Sequence, residues 1–399
     1  MTAWRRWALG ACAIGAASGA QAAEPVATAL TQGKPLLEMR LRYEGVDQAG
    51  FAKDAAAVTL RTRLGYETGA WNGLKGLIEV EDVRPLGPQD FNSTTNGRTA
   101  YPVVPDPEGT ELNRLQLTWR ASEVLTATIG RQRILLDDQR FVGPVAWRQD
   151  EQTFDAARAD IAVGKVKITA AWLDRVNRVF GESADWRSDS WLVNASYDGL
   201  GAVKPTVFVY ALDFADAPVS SGLTYGVRTT GKARAGEVGL AFAGAYARQT
   251  DYGNSPTGFS LDYWMAEAAA TWSGMTLKAN YESLEGDGRR GFATPLATLH
   301  AFQGWADVFL TTPADGMEDA NLTLAVAPRI EGLPPFNLQI VAHDLKAQRG
   351  GRDLGEEIDV QLTAPLTKRL TGLVKYADYD GVPGYASRTK LWVSLDFRY

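Results

Sequence analysis

Hydrophobic and polar residues alternate with a period of two through most of the chain. In the segment 37–44, leucine, methionine and tyrosine occupy the odd positions and charged residues the even ones. The segments 58–67, 114–120 and 390–399 repeat this pattern. Because successive side chains of a β-strand point to opposite faces, the alternation predicts strands with one apolar and one charged face.

About eighteen such segments follow one another, and their connections alternate between short turns and long polar loops. The longest loops are 84–111, 135–151, 174–187 and 285–316. This alternation of short and long connections between about eighteen strands predicts an all-β fold. The fold would be a transmembrane antiparallel up-and-down β-barrel with short periplasmic turns and long extracellular loops. We expect 18 strands, with 16 as the alternative. The predicted strands lie near residues 36–45, 57–67, 74–83, 112–120, 124–134, 152–161, 165–174, 188–197, 204–213, 222–231, 238–248, 260–272, 275–284, 317–327, 336–345, 355–363, 370–379 and 388–399.

The first 22 residues have the pattern of a cleaved signal peptide. Arg5 and Arg6 precede an apolar run, and small residues end at Ala22, where we expect cleavage after Sec-type export. A lipoprotein signal at Cys12 and twin-arginine export are weaker alternatives. Residues 23–399 would then form one barrel domain in the outer membrane of a Gram-negative bacterium, in contact with its lipid. The terminal Tyr399 closes an alternating strand, which is typical of the signal read by the outer-membrane assembly machinery.

Composition narrows the function further. The chain has 399 residues, a net charge of -6, one cysteine and two histidines. One cysteine excludes a disulfide framework, and two histidines leave little for a zinc or haem site, so we expect no cofactor. An acidic chain is unsuited to nucleic acid, whose phosphates need a basic surface.

The charged face of the strands would line the lumen. In the predicted strand 124–134, the parity of Arg131 and Arg133 points to lipid unless a bulge near Gly130 turns both inward. We expect that bulge because charge in lipid is costly. Rings of arginine and lysine favour anions. Alternatively, arginines and acids pair across strands and brace the wall. The residues that parity places inside are Glu38, Arg40, Arg42, Arg61, Arg63, Glu79, Glu81, Arg114 and Lys390.

Catalytic and metal chemistry find little support. No nucleophile motif surrounds any serine, so we do not expect an enzyme. His343 and Asp344 are adjacent on a predicted strand, which favours a lumenal polar pair. Four acids in one predicted loop region suit either a calcium ion or, more simply, solvated carboxylates. These acids are Asp137, Asp138, Asp150 and Glu151.

The run 130–154 contains four distinctive motifs: Gly-Arg-Gln-Arg-Ile, Leu-Asp-Asp-Gln-Arg-Phe-Val-Gly, Trp-Arg-Gln and Gln-Thr-Phe. Together with 101–110, 173–178 and 295–307, this run resembles the alginate export family of outer-membrane porins, and 130–154 is the most specific part. The resemblance implies an eighteen-stranded monomeric barrel whose lumen passes an anionic polyuronate. It makes Arg131, Arg133, Arg140 and Arg148 candidates for the electropositive lining.

One departure from that family changes the expected solute. The alginate exporter carries an extended periplasmic turn near its C-terminal end, whereas 364–369 is short here. We therefore expect a porin for passive diffusion of polar, in particular anionic, solutes such as acidic saccharides. The alternatives are a dedicated export pore for alginate or another anionic polysaccharide, and a closed barrel that acts as adhesin or anchor. The apolar content of 285–316 predicts that it folds into or over the lumen as a constriction, with a loop helix as the alternative.

Overall fold

A computed structural model describes residues 26–328, 330–332 and 334–399; the predicted signal peptide lies outside them. A short helix, α1 (Val26–Thr31), precedes the strands, and the prediction of eighteen is confirmed within the described residues. The strands are β1 Lys34–Gln48, β2 Ala55–Glu67, β3 Leu74–Pro85, β4 Gly109–Arg120, β5 Leu125–Gln132, β6 Thr153–Val163, β7 Val166–Asn177, β8 Trp186–Tyr197, β9 Val203–Leu212, β10 Gly222–Ala235, β11 Val238–Thr250, β12 Ser260–Trp272, β13 Met275–Leu284, β14 Met317–Val326, β15 Asn337–Lys346, β16 Asp353–Pro365, β17 Leu370–Asp380 and β18 Arg388–Arg398.

The strands form one closed antiparallel sheet. Each strand pairs with its neighbours in sequence, and β1 pairs with β18 to complete the ring. Ser273 and Gly274, which join β12 to β13, both have positive φ, at 47° and 79°. Two such residues make the tight turn whose twist matches antiparallel strands. The short connections that follow β2, β6, β10 and β12 lie at the same end of the barrel, which by the architecture of outer-membrane barrels faces the periplasm.

The two faces of the sheet differ in polarity. Leu64 and Ile129 on the outer face are 62% and 61% exposed, as lipid-facing side chains of an isolated barrel would be. Exposed aromatic residues such as Trp119 and Trp272 lie near strand ends, the positions of an aromatic girdle. The inner face carries charged residues, yet many of them are buried because loops fold onto them.

The predicted bulge at Gly130 is absent. The ladder between β4 and β5 runs from Leu115–Arg131 to Arg120–Thr126 without a register shift, although Gly130 has a φ of 110°. The irregularities lie elsewhere, at Glu79/Val80 between β3 and β4, and at three other strand pairs. The prediction was wrong because a glycine can adopt positive φ within a ladder without inserting a residue.

Candidate functional site

Two long loops occupy the inside of the barrel from opposite sides. They are 133–152, between β5 and β6, and 285–316, between β13 and β14. The backbone N–H of Gly143 donates to the carbonyl of Leu296 at 2.8 Å, and that of Thr298 donates to Gln139 at 3.1 Å. Where they cross, a Cβ on Gly143 would collide with the Thr298 hydroxyl, so glycine is needed there.

Apolar side chains explain why these loops turn inward. Val142, Phe292 and Leu296 are buried in the main hydrophobic cluster together with inward residues of the strands. Phe141 meets the Tyr263 ring edge-on, with centroids 5.3 Å apart. The free energy gained by removing these apolar side chains from water exceeds the free-energy cost of burying the polar backbone of the loop, because that backbone is hydrogen-bonded. The prediction that 285–316 folds into the lumen is confirmed; its only helical turn is Leu299–Ala301 within the described residues.

The inner face of β1–β5 carries a network of paired charges, which we call the charged wall. Arg63 forms a short contact with Glu81 and lies 3.3 Å from Glu151 of the 133–152 loop. The guanidinium of Arg114 donates two hydrogen bonds to Glu79, at 2.8 and 2.6 Å. Pairs of this kind neutralise the wall and hold the loop against it, as the bracing interpretation predicted.

Other arginines of the wall bind the backbone carbonyls and an aromatic ring of the 133–152 loop. Arg42 donates to the carbonyl of Trp147 at 2.6 Å, and its guanidinium lies 4.2 Å from the centre of that ring. Arg40 binds the same carbonyl and also Asp396. Arg61 lies 3.9 Å from Glu38, and two of its nitrogens have no hydrogen-bond partner among the described residues.

The sequence-predicted site residues thus fall into three groups. Six of them are buried on the inner wall: Arg42, Arg61, Arg63, Glu79, Glu81 and Lys390. Four are partly exposed: Glu38, Arg40, Arg114 and Arg133. Arg140 and Arg148 belong to the 133–152 loop, where they form short or close pairs with Glu282 and Glu44, respectively.

Arg131 stands apart from these groups. Its register opposite Leu115 gives it the parity of the outward-facing side chains, so without a bulge the basis for placing it in the lumen is lost. Its guanidinium donates to both oxygens of Asp155, at 2.7 and 3.1 Å. This pairing at the outer end of β5 offsets the cost of its position.

A second cluster joins the two loops; of its members the sequence analysis placed Lys390 in the lumen but not His300, Trp147 or Lys375. His300 stacks on Trp147 with centroids 4.4 Å apart and an interplanar angle of 5°. The ammonium of Lys375 lies 2.7 Å from Nε2 of His300 and 3.6 Å from the centre of the Trp305 ring. Lys375 shares the inward parity of its strand, a signal that was available in the sequence.

The uncharged imidazole ring of His300 connects Asp307 and Lys375 in this cluster. Its Nδ1 lies 2.7 Å from Asp307, which Lys390 also approaches at 2.7 Å. Burial lowers the pKa of His300 to about 3, more than the nearby Asp307 raises it. With Nδ1 protonated, His300 donates to Asp307 and accepts from Lys375 through Nε2.

The four acids considered for calcium do not come together. Asp137 accepts from Asn194, and Asp138 pairs with Arg228 at 2.7 Å. Asp150 instead approaches Glu81 and Glu111, with one oxygen of each within 4.8 Å of the others, a grouping that could hold a metal ion. Burial, with the negative charge of Glu81, raises the pKa of Asp150 to about 9. Asp150 and Glu151 are therefore buried rather than solvated.

His343 has a different partner from the one expected. Its Nδ1 lies 2.9 Å from Asp319 on β14, and its Nε2 lies 3.6 Å from Asp359 on β16. Asp344 pairs with Lys346 instead. Adjacent residues of a strand point to opposite faces, so His343 and Asp344 cannot meet.

Two cavities lie beside the loops. The outer cavity, of about 690 Å³, is lined by residues of 178–185, 213–221, 251–259 and 285–316, by the first residue of β8 and by Arg140 of the 133–152 loop. The inner cavity, of about 110 Å³, lies among β12–β15 and includes Glu282 and His343.

No helix among the described residues is long and apolar enough to cross a membrane.

A closed antiparallel barrel with a lipid-compatible outer face, a charged inner wall and inward loops defines a porin-like channel of the outer membrane. A family model described as alginate export matches residues 37–280. The chain therefore belongs to the alginate export family. No match was found among curated proteins.

Solved structures of outer-membrane porins share the fold. Pseudomonas aeruginosa OpdL has a TM-score of 0.72 at 15% identity, over 93% of this chain and 99% of that chain. Acinetobacter baumannii OccAB4 has a TM-score of 0.72 at 14% identity, over 93% and 98%. P. aeruginosa OpdO has a TM-score of 0.70 at 15% identity, over 94% and 99%. At this identity the likeness establishes the architecture, which is an eighteen-stranded barrel.

Proposed function

We propose that the protein is a channel for passive diffusion of polar solutes that prefers anions such as acidic saccharides. The supporting observation is an asymmetry within the ion pairs of the charged wall. The side chain of Arg114 is 15% exposed and that of its partner Glu79 only 2%. Arg133 is 23% exposed and its partner Glu151 only 1%. In these pairs the arginine faces the water and the carboxylate lies behind it.

This arrangement presents hydrogen-bond donors to a passing anion. A guanidinium has five N–H donors, and a single carboxylate occupies only part of them. Nearer the turn end of the wall, Asp396 is more exposed than its partner Arg40, and Glu38 lies between the buried Arg63 and the exposed Arg398. An anion would therefore meet basic groups near the two loops and a mixed surface beyond them.

Planar-bilayer recording under a salt gradient tests the proposal. We expect a reversal potential that indicates anion preference, and a shift toward neutrality in Arg114→Gln/Arg133→Gln. The control is Arg120→Gln/Arg234→Gln, which removes the same charge at the turn end. A cation-selective current from the unaltered protein would overturn the proposal.

Added polyuronate separates the general porin from a dedicated polysaccharide export pore. Block of the current at low polyuronate concentration would favour the dedicated pore, and an unblocked current the general porin. The short connection between β16 and β17 favours the general porin, because it offers little chain to close the lumen from that end.

The packing of the two loops favours one further candidate, a closed barrel that works through its loops as adhesin or anchor. The loops bond to each other across the lumen and bury apolar residues against its wall. Absence of current from protein shown to be folded would favour this candidate.

A further inference from the structure

The outer cavity holds arginines that differ from those of the charged wall. Four arginines line it: Arg140 is paired with Glu282, whereas Arg178, Arg289 and Arg290 form no salt bridge with a residue that the structure describes. The one carboxylate among its described lining residues is Asp287. Asp287 accepts the backbone N–H groups of Arg289 and Arg290, at 2.7 and 2.8 Å. Three guanidinium groups thus face one carboxylate that is already engaged.

Aromatic rings hold two of these guanidinium groups in place. Arg178 lies 3.9 Å from the centre of the Trp186 ring, and Arg290 lies 3.6 Å from that of Phe259. Stacking uses the face of a guanidinium, whereas its N–H donors lie at the edge. Nε of Arg290 is buried without a hydrogen-bond partner in the described part of the chain. The N–H edges of guanidinium groups held in this way match the fork geometry of a carboxylate.

The remaining surface of the cavity sets the size and polarity of an occupant. Val219, Pro256, Leu299 and Phe309 add apolar lining. A volume of about 690 Å³ falls within the range typical of sites for small molecules, roughly 300–1,000 Å³. Such a space suits one or a few rings rather than a whole polymer.

We propose that the outer cavity binds a small carboxylate-bearing ring compound before it enters the lumen. The carboxylate would meet the edges of Arg178 and Arg290, with Arg289 supplying further positive charge. The ring would lie against the apolar lining. This inference rests on the proposed function, because it places a capture site on the outer side of an anion channel.

Calorimetric titration of the full chain in detergent tests the inference. The ligands are sodium glucuronate and sodium benzoate, which distinguish a uronic acid from an aromatic acid, with glucose and benzyl alcohol as their uncharged counterparts. We expect saturable binding of at least one acid and none of its uncharged counterpart. The triple variant Arg178→Gln/Arg289→Gln/Arg290→Gln should bind at least tenfold more weakly.

A charge-matched control removes three positive charges near the turns, by Lys232→Gln/Arg234→Gln/Lys368→Gln, and should bind as the unaltered protein does. Equal binding by the cavity variant, or no saturable binding of either acid, would overturn the inference. The reversal potential of the unaltered protein, measured separately, tests the channel proposal. Anion preference without binding would reject the capture site alone, and binding without anion preference would reject the proposed selectivity alone.

Discussion

The charged wall and the outer cavity both contain arginines, but different groups neutralise them. On the wall, Arg63 and Arg114 are held by buried carboxylates, and their removal would leave those carboxylates unpaired. In the cavity, Arg178 and Arg290 lie on aromatic rings and form no salt bridge with a residue that the structure describes. The comparison teaches that a lumenal arginine is not by itself evidence of selectivity. An arginine buried in an ion pair contributes to structure, and one with free donors is available for recognition.

The largest expected effect comes from Arg63, the most connected arginine of the wall. Arg63→Gln leaves the buried Glu81 without its salt-bridge partner and takes one of two arginine partners from Glu151, which costs about 3–5 kcal/mol. The free energy of unfolding in lipid or detergent, measured by denaturant titration, checks this value. Arg178→Gln in the cavity is the matched control and should change it by less than about 1 kcal/mol, the usual contribution of a partly exposed cation–π contact. Equal effects from the two variants would remove the distinction between the regions.

A smaller effect should follow from Trp147→Ala, because the change is confined to the docking of a loop. It removes the stack on His300 and the ring beneath Arg42, and truncation of a packed tryptophan costs about 3 kcal/mol. We expect faster proteolysis within 133–152 and a larger single-channel conductance. Trp191→Ala, on the lipid face, should change neither. An unchanged conductance in Trp147→Ala would show that this loop does not narrow the lumen.

Acidification should loosen the same loops in a graded way. The pKa of His300 is lowered to about 3 in the folded protein, against an ordinary value near 6.5, so the unfolded state binds a proton first as pH falls. The contribution of the neutral His300 to the free energy of unfolding is therefore fully present above about pH 6.5 and is lost progressively toward pH 3. Conductance should rise between pH 7 and pH 4.5, and His300→Gln should flatten that rise. A rise that persists unchanged in His300→Gln would assign the effect to another group.

The smallest effect tests whether pairing matters without burial. Arg84 pairs with Asp82 and Glu108 at 2.8 Å each, but its side chain is 46% exposed. Exposed pairs contribute little and are screened by salt. Arg84→Gln should therefore leave the midpoint of the denaturant titration nearly unchanged, with a still smaller difference at high salt. A loss as large as that of Arg63→Gln would show that burial is not the deciding variable.

The strands were predictable because their information is local. Alternation within ten or so residues locates each one, and parity then places Arg42 or Glu81 on the inner face. The predicted bulge at Gly130 was the exception. The parity of Arg131 places a charged side chain on the lipid face, and the sequence alone does not show whether a bulge or an ion pair offsets the cost. Arg131 keeps its register and pairs with Asp155.

The contacts of the loops could not be predicted in the same way. Trp147 and His300 are far apart in sequence and meet only because two separate loops cross inside the ring. No local pattern encodes that crossing. Likewise, the partner of His343 is Asp319 on the neighbouring strand rather than the adjacent Asp344. Cross-strand neighbours depend on register, which the sequence left open by a residue or two.

The closure of β1 onto β18 has a consequence for where the ring is weakest. That ladder extends from Glu38–Arg398 to Gln48–Arg388, whereas the one between β4 and β5 covers only Leu115–Arg131 to Arg120–Thr126. The junction of the chain's two ends is therefore not the place where the wall would part under lateral tension. Rupture would begin at the shortest ladders, between β4 and β5 or between β8 and β9, which is equally short. A circularly permuted chain with β18 joined to β1 would keep the same ring.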